Sequence, residues 1–283
     1  MVIDPQLLVA LVLGLVQGLT EFLPISSSAH LYAIPYLFGL SDPLLSSLAF
    51  GAVLHLGTLA AVLVALRADV LRLTRVALGV AFSLGRRRGD PIDERLIVAI
   101  VLGTIPAVLI GLLAGDALEA AVRTPLVVAG AVITGALLLF VAEWRGRRER
   151  PMQSIDVIDG VVVGFAQALA LIPGISRSGA TISAGLLLGF RREVAARFGF
   201  LLGIPAIAGA GALELRHVIA DGSDLGSLGP VLLVGVLASF ASGLVAIRLL
   251  LLLLDGRSTR PFIAYRLAFA AILIGTAIAR GGA

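Results

Sequence analysis

Apolar residues run along this chain in long stretches with short polar interruptions, and the lengths of those stretches predict its elements. Crossing the hydrocarbon core of a bilayer takes roughly 20 predominantly apolar residues in a helix. Six stretches meet that measure: 46–66, 96–115, 125–142, 198–213, 230–254 and 261–279. Two others, 6–40 and 157–190, are apolar but broken in the middle. The first break is Pro24-Ile25-Ser26-Ser27-Ser28, and the second is Pro173-Gly174-Ile175-Ser176-Arg177-Ser178-Gly179. Each half is about 15 residues, too short to span comfortably. The pattern therefore predicts two re-entrant helical hairpins. Non-helical backbone at membrane depth is tolerated only where protein or a water-filled cavity surrounds it.

The two broken segments align with each other when the chain is offset by 150 residues. Gly14 then meets Gly164, Gln17 meets Gln167, Leu19 meets Leu169, Ile25 meets Ile175, Ser26 meets Ser176 and Ser28 meets Ser178. Three spans follow each hairpin. The expected architecture is a single all-α integral membrane domain over 1–283, with six transmembrane helices and two re-entrant hairpins. Residues 1–145 and 157–283 form its two inverted-topology repeats. Folds of this kind place their site near the midplane, where the broken helices of the two repeats meet.

Composition agrees. Of 283 residues, 59% are apolar and 14% charged, with a mean hydropathy of +1.05. Soluble domains run near 45–50% and 25%, so a water-soluble globule is excluded, and so is a disordered chain. The net charge of +4 comes entirely from arginine, with no lysine present. On a membrane protein these arginines read as topology signals rather than a nucleic-acid surface, and no nucleic-acid partner is expected. They gather in the 67–95 loop, the 143–156 loop, at Arg191, Arg192 and Arg197, and at Arg257 and Arg260. The loops holding Asp116 and Glu119, and Glu214, Asp221 and Asp224, are relatively acidic. The positive-inside rule puts the first group in the cytoplasm. Parity then brings the first hairpin in from outside and the second from the cytoplasm, and leaves both termini outside. Asp4 is the only charge before Glu21, so no basic leader of a cleavable signal peptide is seen. With no cysteine, disulfides and thiolate chemistry are excluded.

Against this background a few polar groups stand out. Gln17 and Glu21 lie four apart, on one helix face. Glu21 is the only carboxylate between Asp4 and Asp42, and an ionisable group at membrane depth is a functional candidate. Ser26, Ser27, Ser28 and His30 follow within ten residues. Taken singly, the serines fit a helix N-cap and His30 a histidine satisfied by packing; together with Glu21 they point to chemistry. In the second break, Gly174 permits close backbone approach. A helix N-terminus there favours an anion. Arg177 adds a planar fork suited to phosphate oxygens, and Ser176, Ser178 and Thr181 add hydroxyls. The nearest acids in sequence to Arg177 are Asp159 and Glu193, so its partner is an external anion or Glu21 of the other half. The halves have diverged: Leu171 stands opposite Glu21, Ala180 opposite His30, and Ser27 opposite Arg177. A carrier needs only the anion cradle, whereas a site that attacks the anion needs both sets. His55 reads as structural or cavity-lining, His217 as solvated, and Arg248 and Arg266 as side chains snorkelling to the cytoplasmic surface.

The runs Gln17-Gly18-Leu19-Thr20-Glu21-Phe22-Leu23-Pro24-Ile25-Ser26-Ser27-Ser28-Ala29-His30 and Pro173-Gly174-Ile175-Ser176-Arg177-Ser178-Gly179-Ala180-Thr181 resemble the two signatures of the bacterial undecaprenyl-diphosphatases of the UppP/BacA type. The likeness extends over essentially the whole chain. It implies a multi-pass phosphatase of the bacterial inner membrane that converts undecaprenyl diphosphate to undecaprenyl phosphate. That reaction recycles the lipid carrier for cell-wall glycans and is linked to bacitracin resistance. The resemblance also implies a divalent cation, Mg²⁺ or Ca²⁺, and leaves a homodimer open. In this family glutamate often stands at the position of Gln17; here only Glu21 remains of that pair of acids. Ser28 and Ala29 stand where Thr-Gly is often found.

On this resemblance Arg177, with Ser26, Gly174, Ser176, Ser178, Thr181 and local N–H groups, would hold the diphosphate. Glu21 would bind the cation or position water, with Gln17 as a neutral oxygen ligand. His30 would act as nucleophile or general acid–base, with Ser27 as the rival nucleophile. The site would face the outer side of the membrane. The alternative class is a polyprenyl-phosphate flippase or anion transporter, which would use Arg177 and need no nucleophile.

Overall fold

A computed structural model describes residues 4–39, 48–82, 90–121, 124–220 and 225–281. Among them there are eleven α-helices and no strand: α1 Pro5–Phe22, α2 Ser27–Phe38, α3 Leu48–Ala65, α4 Arg67–Phe82, α5 Pro91–Ala121, α6 Pro125–Arg145, α7 Val157–Leu169, α8 Arg177–Leu187, α9 Arg192–Ala220, α10 Leu225–Leu254 and α11 Arg260–Ala279. Six stretches are long and apolar enough to cross a membrane: Pro5–Phe22, Pro91–Ala114, Pro125–Arg145, Arg192–Ala212, Gly229–Leu254 and Arg260–Ala279. The fold is that of an all-α membrane protein with re-entrant helices. Its outer surface bears the apolar side chains such a protein turns to lipid, among them Leu8, Leu113, Phe165 and Leu252.

Five of the six expected spans are among these, with α5 and α9 running beyond the expected bounds. Two expectations are corrected. The first half of the 6–40 hairpin is not too short by length: Asp4 caps α1 by accepting from the Gln6 N–H, and the helix runs unbroken for 18 residues, or about 27 Å. The expected 46–66 span is α3, described from Leu48, and the difference lies beyond it: after Ala65 the chain bends by 84° into α4. The arginine-rich segment from Arg67, expected as loop, is therefore helical through Phe82. Its charges recur at helical spacing around buried Asp69 and Leu73. Arg72 bonds both Asp69 and Asp93, and Arg197 of α9 reaches Asp69 at 2.6 Å. Arg86, Arg87 and Arg88 lie outside the described residues.

Other loop arginines also tie helices together. Glu143 at the end of α6 receives Arg148 at 3.2 Å, Arg192 of α9, and the Thr259 hydroxyl ahead of α11 at 2.9 Å. Arg150 bonds Asp159 of α7 through both terminal nitrogens, at 3.0 and 2.6 Å. That hydrogen bonding raises the Arg150 pKa above its ordinary value.

The helices meet through small residues, the packing that lets backbones approach closely in membranes. α1 lies on α10 where Gly14 and Gly18 face Gly235, Ser239 and Ser242. α7 lies on α5 where Gly160 and Gly164 face Ala99 and Gly103. α2 packs back against α1, and α8 against α7. These contacts bring the two breaks, 23–26 and 170–176, face to face.

Candidate active site

Both breaks turn by the same device. Ser26 has φ 76° and ψ 96°, and Ser176 has φ 75° and ψ 117°. Positive φ is unfavourable for a residue with a Cβ, and such strain collects at functional sites. Each serine caps the helix that follows: Ser26 Oγ accepts from the Ala29 N–H at 3.4 Å, and Ser176 Oγ from the Gly179 N–H at 3.1 Å. Each sits 3.2 Å from the hydroxyl two residues on, Ser28 or Ser178. The capping role that the first serine cluster suggested is the one Ser26 occupies, and Ser176 occupies it too. The breaks are also bonded to each other. Ser178 Oγ donates to the Leu23 carbonyl at 2.9 Å, and the Gly174 N–H donates to Ser28 Oγ at 3.3 Å. Gly174, at φ 108°, runs close to Ala131 and the Val128 carbonyl, which leaves no place for a Cβ.

Glu21 is buried at the end of α1. One oxygen, Oε1, is paired with the Arg177 guanidinium from the opposite hairpin. The other, Oε2, accepts from Ser27 Oγ at 2.5 Å and from Gln17 Nε2 at 2.9 Å. His55 of α3 completes the ring, with Nε2 3.5 Å from the same oxygen. Arg177 therefore has an internal acid, the second of the two partners its sequence surroundings allowed. Glu21, Arg177, Ser178 and Thr181 line a cavity of about 10 Å³ together with Phe22, Gly199, Phe200, Gly203 and Ile207, room for about one water. The Thr181 hydroxyl donates to the Arg177 carbonyl at 2.9 Å. With the Ser178 proton also committed to backbone, the donors an incoming anion meets are the Arg177 guanidinium and the first N–H groups of α8.

His30 is placed differently from Glu21 and Ser27. Its Nδ1 lies 2.7 Å from the Ser26 carbonyl and its Nε2 2.7 Å from the Tyr265 hydroxyl. The ring stacks on Phe269, with centroids 4.2 Å apart. The structure thus brings together Gln17, Glu21, Ser27 and Arg177, keeps Ser26, Gly174, Ser176, Ser178 and Thr181 around them as turn and cap, and holds His30 among aromatic rings.

Three residues here carry more than their sequence suggested. Arg266, read as a snorkelling side chain, is fully buried. It donates to the carbonyls of Pro24, Gly174, Ile175 and Val132 at 2.9 to 3.2 Å. Two of those carbonyl groups belong to the second break and one to the first, so one guanidinium satisfies backbone that both interruptions leave unpaired. Arg248, by contrast, is exposed as expected. Tyr265 fixes His30. His55 stands beside the carboxylate. No pattern marks Arg266 as inward, because α11 is apolar on every side; only its stripe mates Ile263, Ala270, Leu273 and Ala277 do so once the fold is known.

A divalent cation fits these residues in part. Among the described residues no three His, Cys, Asp or Glu side chains cluster in a way that could hold a metal. Glu21 offers one carboxylate, and beside it Gln17 Oε1 is buried with no hydrogen-bond partner. One carboxylate with substrate phosphates is a common donor set for Mg²⁺.

The family model for bacitracin resistance protein BacA matches residues 10–272. An undecaprenyl-diphosphatase of Synechococcus sp. (strain RCC307) is 47% identical over 274 residues, covering 95% of this chain and 92% of that protein. One of Myxococcus xanthus (strain DK1622) is 45% identical over 95% of this chain and 88% of that protein. One of Nocardioides sp. (strain ATCC BAA-499 / JS614) is 45% identical over 95% and 97%. With its apolar helices, such a match over nearly the whole length makes this a multi-pass integral membrane protein, and the chain belongs to the BacA family.

Proposed function

We propose that this chain hydrolyses undecaprenyl diphosphate to undecaprenyl phosphate and inorganic phosphate, recycling the lipid carrier for cell-wall synthesis and conferring bacitracin resistance. The observation that carries the reading is the contact of Glu21 with both Ser27 and Arg177, which joins a hydroxyl and its base to an anion-binding guanidinium across two hairpins. Bare anion transport would need the guanidinium alone.

The steps follow from these groups. The diphosphate draws Arg177 away from Glu21 and takes up its fork and the N-terminal N–H groups of α8. Freed of that partner, Glu21 keeps Ser27 and accepts its proton as Oγ attacks the terminal phosphorus. The bond from that phosphorus to the bridging oxygen breaks, and undecaprenyl phosphate leaves with the electron pair. Glu21 loses its proton to solvent. It then takes one from the water that attacks phosphoserine; the bond from phosphorus to Ser27 Oγ breaks, Glu21 returns that proton to Oγ, and inorganic phosphate departs. Arg177 stays on the transferred group throughout, where charge develops. Glu21 and Gln17 are the residues that would hold Mg²⁺ or Ca²⁺, which when bound neutralises phosphate charge. His30 orders the first turn of α2 through the Ser26 carbonyl.

Residues 1–145 and 157–283 act as two inverted repeats in this reading, supported by the matched breaks and by the reciprocal seating of α1 on α10 and α7 on α5. The site opens to the outer side of the bacterial inner membrane, with both termini on that side. A membrane-impermeant thiol reagent should then label Ser27→Cys from outside; labelling from the cytoplasm alone reverses the orientation. Purified protein in detergent should release phosphate from the polyprenyl diphosphate. Glu21→Ala and Arg177→Ala should lose that release while keeping their elution profile. Turnover close to the unsubstituted protein in both variants would remove the site.

A further inference from the structure

His55 contributes a nitrogen to the Glu21 site that the steps above leave without a task. Its Nδ1 lies 2.8 Å from the Gly51 carbonyl. A carbonyl only accepts, so Nδ1 carries the ring proton. In the neutral imidazole the lone pair is then on Nε2, and Nε2 lies 3.5 Å from Glu21 Oε2. As an imidazolium the ring pairs with the carboxylate directly through Nε2–H; as a neutral ring it turns a lone pair to the same oxygen, and at 3.5 Å nitrogen and oxygen stand at the separation of two ligands on one cation. Gln17, one helical turn before Glu21, points its amide at the same oxygen, and turning that amide over brings the unpartnered Oε1 there instead. An imidazole whose second nitrogen donates to a backbone carbonyl is the usual arrangement of a metal-ligating histidine.

We propose that His55 is a ligand, through Nε2, of the divalent cation held by Glu21 and Gln17; this rests on the assignment of those two residues made above. A nitrogen ligand changes which cation the site prefers. Carboxylate and carbonyl oxygens suit Ca²⁺, Mg²⁺ and Mn²⁺ alike, and of these Mn²⁺, a first-row transition ion, gains most from an imidazole nitrogen. The site should therefore favour Mn²⁺ over Ca²⁺ more strongly with His55 than without it.

The test uses Mn²⁺ alone, added to the purified full chain in detergent and followed by electron paramagnetic resonance. Spin-echo modulation from an imidazole ¹⁴N is expected in the unsubstituted protein, retained in His30→Gln and lost in His55→Gln. Mn²⁺ affinity in His55→Gln should fall roughly tenfold or more. The chain has three histidines, so the double variant His30→Gln, His217→Gln leaves His55 as the only source of modulation. It gives the answer even if His55→Gln does not fold. Mn²⁺ that binds in a Glu21-dependent way without ¹⁴N modulation overturns the role of His55 and leaves the cation at Glu21 standing. Mn²⁺ binding unaffected by Glu21→Gln overturns the cation assignment, and His55 with it.

Discussion

The two hairpins share a backbone and differ in almost everything attached to it. Ser26 and Ser176 hold the same positive-φ turn, cap the following helix in the same way and sit equally far from the hydroxyl two residues on. On that common frame the α1–α2 hairpin carries Glu21, Ser27 and His30, while α7–α8 carries Leu171, Arg177 and Ala180. The surroundings differ too. Residues Ser178 to Leu186 of α8 are all buried, packed between α6, α7 and α9, whereas α2 buries only Ala29, His30 and Ala33. The half proposed to bind the anion is embedded, and the half proposed to react is less deeply buried. On the proposed function the matched turns supply the nucleophile from one side and the cationic anchor from the other, because the first residue of each new helix, Ser27 or Arg177, reaches Glu21 between the breaks.

The sharpest way to break this division of labour is to remove each side's leading residue. Ser27→Ala should lower phosphate release by roughly 10,000-fold or more, as loss of a covalent nucleophile does, and ³²P trapped on the chain during turnover should disappear. His30→Gln should stay well above the roughly 100-fold loss that removal of a general acid–base brings. The opposite ranking would transfer the nucleophile to His30. On the other side, Arg177→Lys keeps the charge but not the fork, and a loss of about 100-fold or more in kcat/KM is expected.

Next in size is the residue that serves both hairpins at once. Arg266→Ala leaves the break carbonyls of Pro24, Gly174 and Ile175 in the interior without this donor, while Val132 keeps its place in the α6 ladder. At about 1–3 kcal/mol for each orphaned group, partly relieved by water, destabilisation of about 3 kcal/mol is expected. Thermal unfolding in detergent reads it. An unchanged midpoint would mean the breaks hold each other without this guanidinium.

Arg266 also shows where the sequence stopped being informative. Run lengths and the paired breaks predicted most of the helices and the hairpins, and left the pairing of Glu21 with Arg177 as one of two partners, because those depend on local pattern and on one internal alignment. The inward face of α11 and the proximity of His55 to Glu21 depend on how helices rotate about their axes. A helix apolar all round carries no such record. The bend at Leu66 was hidden for another reason: the arginines after it satisfy a loop's composition as well as an amphipathic helix's.

A smaller effect separates the two glutamines that the alignment superimposes. Gln17 bonds Glu21, but Gln167, equally buried, has neither amide atom paired. Leu171 stands where its acid would be. Burying an amide without partners costs free energy, and an apolar group of similar size removes that cost. Gln167→Leu should therefore be neutral or raise stability by about 1 kcal/mol without changing turnover, whereas Gln17→Leu should lower both Mn²⁺ affinity and turnover. A loss of activity in Gln167→Leu would show that the second half retains chemistry of its own.

The smallest effect tests the shared frame itself. Replacing Ser26 or Ser176 by glycine acts in two opposed ways. Glycine removes the strain of a positive φ, worth about 1 kcal/mol or somewhat more. It also deletes the hydroxyl cap, and glycine at that position costs only a few tenths of a kcal/mol against serine. The net change should be slight, about 0.5 kcal/mol and stabilising, and because φ and the capping bond match at the two turns it should be nearly equal at both. Alanine keeps the strain and loses the cap, so Ser26→Ala and Ser176→Ala should each be destabilised, by about 1 kcal/mol. Thermal midpoints of the four single variants measure this directly. If the glycine variants differ by as much as glycine and alanine differ at one turn, the turns are alike in shape but not in energy. The strain would then be concentrated in one hairpin, and the hairpin that gains more from glycine would be the one whose turn is held open by its surroundings.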